Sequence, residues 1–281
     1  MKLWFLLSFL LGTLFVNGQS KDAIKIADSL AFIKQYSEAS VWYHFALYNS
    51  NAEDLNEKAI TGKLNCLKAL GLFNEAKDFL LICNNINTSN DFKTELQFQE
   101  MLISYLSGNF LDAIDLSAGF NDNIKKETKV MTSMIVILSY NELYKWKEAD
   151  SALQLLIQQY PSKDSTVSRM YAGLPRLKNE KKARILSALF PGLGQMYAGK
   201  FWPGIANAVL QFGCLGFSIA TWQREYYYSS VLIGVNNFIS FRQGDKLRTQ
   251  TLIKQLNRKK CIEFNENIKL QLSKYVQNTL Q

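Results

Sequence analysis

A chain of 281 residues with 48 % hydrophobic content carries enough apolar mass for one or two packed domains, which excludes disorder as its dominant state. Its net charge of +8 is unevenly placed, with 14 Lys/Arg against 18 Asp/Glu in residues 1–159 and 18 against 6 in residues 160–281. The basic residues of the rear half flank apolar runs instead of lining a polar groove, so membrane lipid is the expected partner there and nucleic acid is not.

Residues 1–19 open on Lys2, pass through a run from Leu3 to Leu11 that is apolar except for Ser8, and close on Asn17, Gly18 and Gln19. A charged start, an apolar stretch too short for a comfortable crossing and small or polar residues behind it form the pattern of an export signal, cut near Gly18 or Gln19, with an uncleaved signal anchor as the alternative. Export admits disulfides. Cys66 and Cys83 nevertheless stand at unequal distances from the turn expected near Gly71, and no pair among them, Cys214 and Cys261 has metal-ligand spacing. No disulfide, metal or cofactor is expected.

Over 20–162 one pattern recurs, an aromatic residue, any residue, an acid and an alanine. Its copies begin at Tyr36, Phe73, Phe110 and Trp146, spaced by 37, 37 and 36 residues. A period in the thirties predicts helix pairs that stack, because one pair cannot bury its apolar face alone. Nine residues before each aromatic stand Ala27, Leu64, Met101 and Ile137, and six before stand Leu30, Leu67, Ser104 and Tyr140, one face of a first helix. Seven residues after each anchoring alanine come Ala46, Cys83, Phe120 and Leu156 on the second helix, and Gly71 and Gly108 supply the turn between.

These residues resemble the tetratricopeptide repeat (TPR) family, with the closest fit at Tyr36, Ala39, Tyr43 and Ala46 and with Pro161 where a fourth unit would close. The resemblance covers about half of the chain. It implies a concave groove lined by the first helix of each pair, and hence Asp28, Lys58, Thr61, Asn65, Lys68, Asn141 and Glu142 as contacts for a protein or peptide partner.

Beyond Pro161 a polar connector (Ser162, Asp164, Ser165, Thr166, Ser168) leads to the basic residues Arg176, Lys178, Lys181, Lys182 and Arg184. From Trp202 to Trp222 the chain is largely apolar and uncharged, and about twenty residues at about 1.5 Å each span a bilayer core of about 30 Å. Trp202 and Phe201 at one end, with Trp222 and Tyr226 to Tyr228 at the other, suit headgroup depth. A shorter apolar run from Tyr226 to Phe241 predicts a second crossing. Gly204, Gly213, Gly216, Ala206 and Ala208 are the small residues expected where helices touch, and Asn207, Gln211, Asn236 and Asn237 are expected to hydrogen-bond between helices. The tail from Gly244 reads as a basic helix, lying on a leaflet or projecting from it.

The string from Leu186 to Gly204 resembles the opening of small bacterial two-pass membrane domains of PGxGQxYxG type, carried by Leu186, Ser187, Ala188, Pro191, Gly192, Gly194, Gln195, Tyr197, Gly199 and Gly204. The resemblance covers about residues 180–250 and implies membrane residence without a catalytic role. Pro191, Gly192, Gly194, Gln195, Tyr197 and Gly199 then form a turn at the membrane. The same glycines fail as a dinucleotide fingerprint, since no strand precedes them and no acid follows at the required distance.

The sole histidine, His44, lies among Trp42, Tyr43 and Phe45 on a helix surface, and no nucleophile elbow, zinc-binding helix or phosphate loop occurs, so no enzyme is expected. The sequence thus predicts an all-α protein, a TPR-like helix-pair solenoid followed by a transmembrane helical hairpin. Its parts are a signal at 1–19, repeats at 20–162, a basic connector at 163–184, the hairpin at 185–243 and a basic helical tail at 244–281. The expected function is a membrane-anchored envelope adaptor at the bacterial inner membrane, with the repeats on the periplasmic side. The alternative is an accessory subunit of a membrane assembly or transport complex with its functional residues in the transmembrane helices.

Overall fold

A computed structural model describes residues 19–120, 124–161 and 166–280, and among these no strand occurs. The expected signal, apart from Gln19, and Ser162, Asp164 and Ser165 of the connector lie outside the described residues. The chain divides into two compact units. One comprises the residues up to Ser168 together with Leu272–Gln281, and the other is Arg169–Gln271.

In the first unit the helices are α1 (19–32), α2 (Tyr36–Tyr48), α3 (Glu53–Ala69), α4 (Phe73–Cys83), α5 (Asn90–Leu106), α6 (Phe110–Ser117), α7 (Lys126–Glu142) and α8 (Trp146–Gln159). Each of the four pattern aromatics is the first residue of a helix. The joints before them are alike. Two residues before the aromatic the backbone turns left-handed, at Lys34 (φ 63°), Gly71 (φ 72°), Gly108 (φ 82°) and Tyr144 (φ 57°). The next N–H then bonds back to the carbonyl five residues earlier, from Gln35 to Leu30, Leu72 to Leu67, Asn109 to Ser104 and Lys145 to Tyr140, at 2.9–3.0 Å. This closes the end of each first helix by satisfying carbonyls that the helix leaves unpaired. It also reverses the chain within three residues, so the two helices become neighbours.

What lies between them is small. Ala39, Ala76, Ala113 and Ala149 are all fully buried, as are Ala27, Met101 and Ile137 on the first helices, with Leu64 at 1 %. Alanine there lets helix axes approach, and larger partners fill the layers on either side: Ile60, Leu64, Leu67, Phe79 and Leu80 in one cluster, and Ala23, Ile24, Ala27 and Tyr43 in its neighbour. Fully burying side chains of the Leu or Ile class contributes roughly 1.5–3 kcal/mol each, far above any exposed ion pair. Tyr43 packs closely against Gly62, where an added Cβ would come within 2.7 Å of the ring. Ser104 keeps a polar hydroxyl in this interior at 0 % exposure.

The final ten residues belong to the first unit. Leu272, Tyr275 and Val276 are buried, Tyr275 Oη donates to the Tyr160 carbonyl at 2.6 Å, and Lys126 Nζ donates to the Thr279 carbonyl at 2.8 Å. The end of the tail therefore closes the side of α7 and α8, which corrects the expectation that the whole tail lies on a leaflet or projects. A helix that would otherwise expose its apolar stripe is covered in this way.

Cys66, Cys83, Cys214 and Cys261 are free thiols in the structure. Burial pushes the Cys83 thiol up to about 12, with Lys63 opposing weakly, and burial raises Cys66 as well. Both act as small apolar groups.

Gly71 and Gly108 have open space around an added Cβ, so only backbone conformation resists a side chain there. Gly108→Ala is expected to cost about 1 kcal/mol, because an L-residue is strained in the left-handed region. Tyr144→Gly, at the equivalent joint, should not lower the melting temperature. Circular dichroism melts of the purified chain check both, and an unchanged melt for Gly108→Ala would contradict the role given to the joint.

Candidate functional site: a buried polar cluster around Asp245

The second unit contains α9 (Glu180–Leu189), α10 (Leu193–Tyr197), α11 (Phe201–Gln223), α12 (Tyr227–Ser229), a π-helical segment Ser230–Val235 and most of α13 (Asn236–Leu280). Two of its joints repeat the geometry of the first unit: Gly199 (φ 86°) precedes Phe201 and Glu225 (φ 64°) precedes Tyr227, with Lys200 bonding back to Gln195 and Tyr226 to Thr221.

Helix α9 ends because Pro191 forces Phe190 out of helical geometry, to φ −143° and ψ 133°. Gly192 follows at φ 80° with its backbone against α11, where an added Cβ would fall 2.8 Å from the Gly204 carbonyl carbon. Gly194 meets α9 and α13 as closely: a Cβ there would lie 2.7 Å from Thr249 Cγ2 and 2.8 Å from the Ala183 carbonyl oxygen. The two glycines thus allow α10 to nest against three helices.

Asp245 fixes this turn. Its carboxylate, 3 % exposed, accepts from the Gly192 N–H at 3.2 Å and from Gln195 Nε2 at 2.8 Å, while Ser187 Oγ donates to Thr249 Oγ1 at 3.0 Å beside it. Ser187, Gln195 and Thr249 are buried to 1 % exposure or less. Hydrogen bonds to a charged acceptor are about twice as strong as neutral ones, and a buried carboxylate is costly to leave unpaired, so this network holds the turn in one geometry. Tyr197 is held by the basic stretch: Lys178 donates to its carbonyl and stands 4.9 Å over its ring, and its hydroxyl accepts from the Asn179 N–H at 3.3 Å. Each residue of the expected membrane turn thereby has a structural task, Gly199 as the left-handed joint and Pro191 as a buried helix stop.

Among the described residues α11 is the one helix long and apolar enough to cross a membrane, and 22 % of its apolar window is buried. Trp202, Val209, Leu210, Ile219 and Trp222 are each more than half exposed. The chain returns along α11 through small residues: Ser218 and Ser230 hydroxyls lie 2.8 Å apart, and a Cβ on Gly234 would reach 2.5 Å from Ser218 Cβ. Gly213 and Gly216, expected at such a contact, face open space. The expected interhelical bonds also differ, since Gln211 Nε2 donates to Asn207 Oδ1 within α11 at 3.2 Å, and Asn236 and Asn237 are exposed. The four-residue spacing that places two amides on one face also lets them bond to each other.

On the first unit, Asp28 and Lys58 form an ion pair at 3.1 Å, and the buried Tyr43 hydroxyl donates to Asp28 at 2.6 Å. Burial and that carboxylate hold the Tyr43 phenol well above its usual range. Thr61, Asn65 and Glu142 are exposed and Lys68 is half-buried, donating to Gln99. Asn141, by contrast, is 1 % exposed and does not belong to a solvent-facing set. His44 Nδ1 lies 2.9 Å from Lys63 Nζ, and burial together with that ammonium lowers its pKa. Among the described residues no group of three or more His, Cys, Asp or Glu side chains is placed to hold a metal ion.

Asp245, Thr249, Ser218 and Gly234 were not singled out by sequence reasoning. Asp245 carried a usable signal, as the lone acid between Glu225 and Glu263 in a basic stretch. Asp245→Ala would leave the Gly192 N–H and Gln195 amide unpaired, at about 1–3 kcal/mol each, whereas Lys246→Ala removes a partly exposed charge. Limited proteolysis of the purified chain should show rapid cleavage for Asp245→Ala and for Gly194→Val and wild-type resistance for Lys246→Ala. Equal resistance of the three would contradict the clamp.

The cluster lies wholly within a stretch, residues 176–274, that matches the model of a family of unknown function (DUF5683), under half of the chain. No curated protein and no solved structure matches the chain.

Proposed function

We propose that this chain is a membrane-anchored adaptor of the bacterial cell envelope. Its TPR-like repeats over 20–162 bind a protein or peptide, and a transmembrane helical hairpin within 185–243 fixes them to the inner membrane on its periplasmic side. The observation that carries the anchor is the uncovered apolar surface of α11, whose exposed rings at both ends match headgroup depth. The four joints in constant register support the solenoid, because identical joints give identical helix pairs that bury their faces by stacking.

The C-terminal residues support a hairpin in preference to one crossing. Leu272–Gln281 share a compact unit with the repeats, so the chain that leaves the repeats must return to their side of any bilayer that α11 crosses. Tyr226 to Phe241 is the apolar run available for that return. A second reading, an accessory subunit of a membrane assembly or transport complex, is favoured by the buried amide atoms Asn207 Nδ2 and Gln211 Oε1, which have no hydrogen-bond partner among the described residues.

Alkaline carbonate is expected to leave the full chain in the membrane pellet, and release would refute the anchor. A photo-crosslinking residue in place of Thr61 should give one discrete adduct that is lost in Lys58→Glu/Asn65→Arg and kept in Asn207→Leu. The opposite pattern would move the activity to the membrane helices.

A further inference from the structure

We propose that the cavity between α10, α11 and the first turns of α13 binds the headgroup of a phospholipid that carries both an ammonium and a phosphate. The cavity measures about 520 Å³, inside the range of roughly 300–1,000 Å³ typical of ligand pockets. Its floor is polar and buried, formed by Gln195 and Asp245 at 1 % and 3 % exposure. Its rim is exposed and mixed, with Leu210, Phe241 and Arg248.

Two residues of the lining each hold one buried atom with no hydrogen-bond partner among the described residues, the acceptor Gln195 Oε1 and the donor Asn207 Nδ2. Such atoms are costly in a low-dielectric interior, and one of each kind calls for a ligand that both donates and accepts. The Asp245 carboxylate takes its hydrogen bonds from neutral donors, a backbone N–H, an amide and a hydroxyl. A ligand ammonium with N–H groups would add a charged donor beside Asp245 and donate to Gln195 Oε1. Arg248, three residues along α13, presents a guanidinium suited to phosphate at the rim. Leu210 and Phe241 offer the acyl chains an apolar exit.

Depth agrees with a headgroup. The lining residues of α11 lie in its first turns, just beyond Trp202, and those of α13 lie at and after the end of the apolar run at Phe241. A lipid already at that level reaches the cavity sideways. This step rests on the membrane reading of α11.

The test uses the full chain purified in detergent, incubated with phosphatidylethanolamine, phosphatidylcholine or phosphatidylglycerol and analysed by native mass spectrometry during delipidation. Phosphatidylethanolamine should be retained about tenfold over the other two, because choline has no N–H to donate and glycerol has no charge. Arg248→Gln should remove that preference, and Lys246→Gln, which is outside the lining, should keep it. Equal retention of the three lipids, or an unchanged preference in a protease-resistant Arg248→Gln, overturns the proposal. Glycerophosphoethanolamine without acyl chains should fail to compete, and effective competition would assign the site to a soluble ligand and overturn the lipid. Release of the chain by carbonate would instead refute the anchor itself, whatever the lipid result.

Discussion

The structure depends on one short piece of backbone chemistry, a helix end closed by a left-handed residue whose following N–H returns to the carbonyl five residues before it. Among the described residues it occurs at six joints, and at each the second residue after the left-handed one is an aromatic that starts the next helix. The joint satisfies carbonyls that would otherwise be orphaned and sets consecutive helices side by side. Small residues between those helices then become a packing requirement, met by four alanines with no exposed surface. Lys34, Tyr144 and Glu225 adopt the same turn without glycine, at a local cost that the helix contacts on either side offset.

In the second unit the same joint operates under a different constraint. Where apolar side chains face outward, polar groups have to be satisfied inside, and a carboxylate at 3 % exposure becomes the centre of a hydrogen-bond network in place of a leucine. Asp245 binds a backbone N–H and an amide from a turn that lies some fifty residues earlier in the chain. The glycine pair at 192 and 204 and the close fit of Gly194 are what bring that turn within reach. The cavity beside this network is lined by both polar and apolar side chains, Gln195, Asn207 and Asp245 together with Leu210 and Phe241.

Much of this was legible in residue spacing. The period of the aromatic and alanine pattern located the turns between paired helices, and the structure places a helix start at each of the four aromatics, because a helix start is a local event set by a turn and a first-turn side chain. The string from Pro191 to Gly199 was recognisable as a unit, but its cause was not, since Asp245 is remote in sequence and a single acid in a basic helix has no periodic signature. Asn207 and Gln211 illustrate the limit from the other side. Their spacing places them on one face of α11, yet sequence alone does not say whether two amides on one face bond across helices or to each other. Gly213 and Gly216 look like a contact stripe, while the contact runs through Ser218 and Gly234, because in tight packing any small residue serves and orientation decides. Asn141 shows the same limit, as a polar residue in a first helix that is turned inward.

The central claim is that the repeats and the C-terminus lie on one side of a bilayer and the α11–α12 turn on the other. Thr61→Cys, Glu225→Cys and Lys269→Cys, each at an exposed position in a background with the four native cysteines replaced, report this through labelling of intact spheroplasts with a membrane-impermeant maleimide. The account predicts that the cysteines at 61 and 269 are labelled from outside and that the one at 225 is labelled only after lysis. Labelling of 61 and 269 from opposite sides, or of all three without lysis, would contradict it.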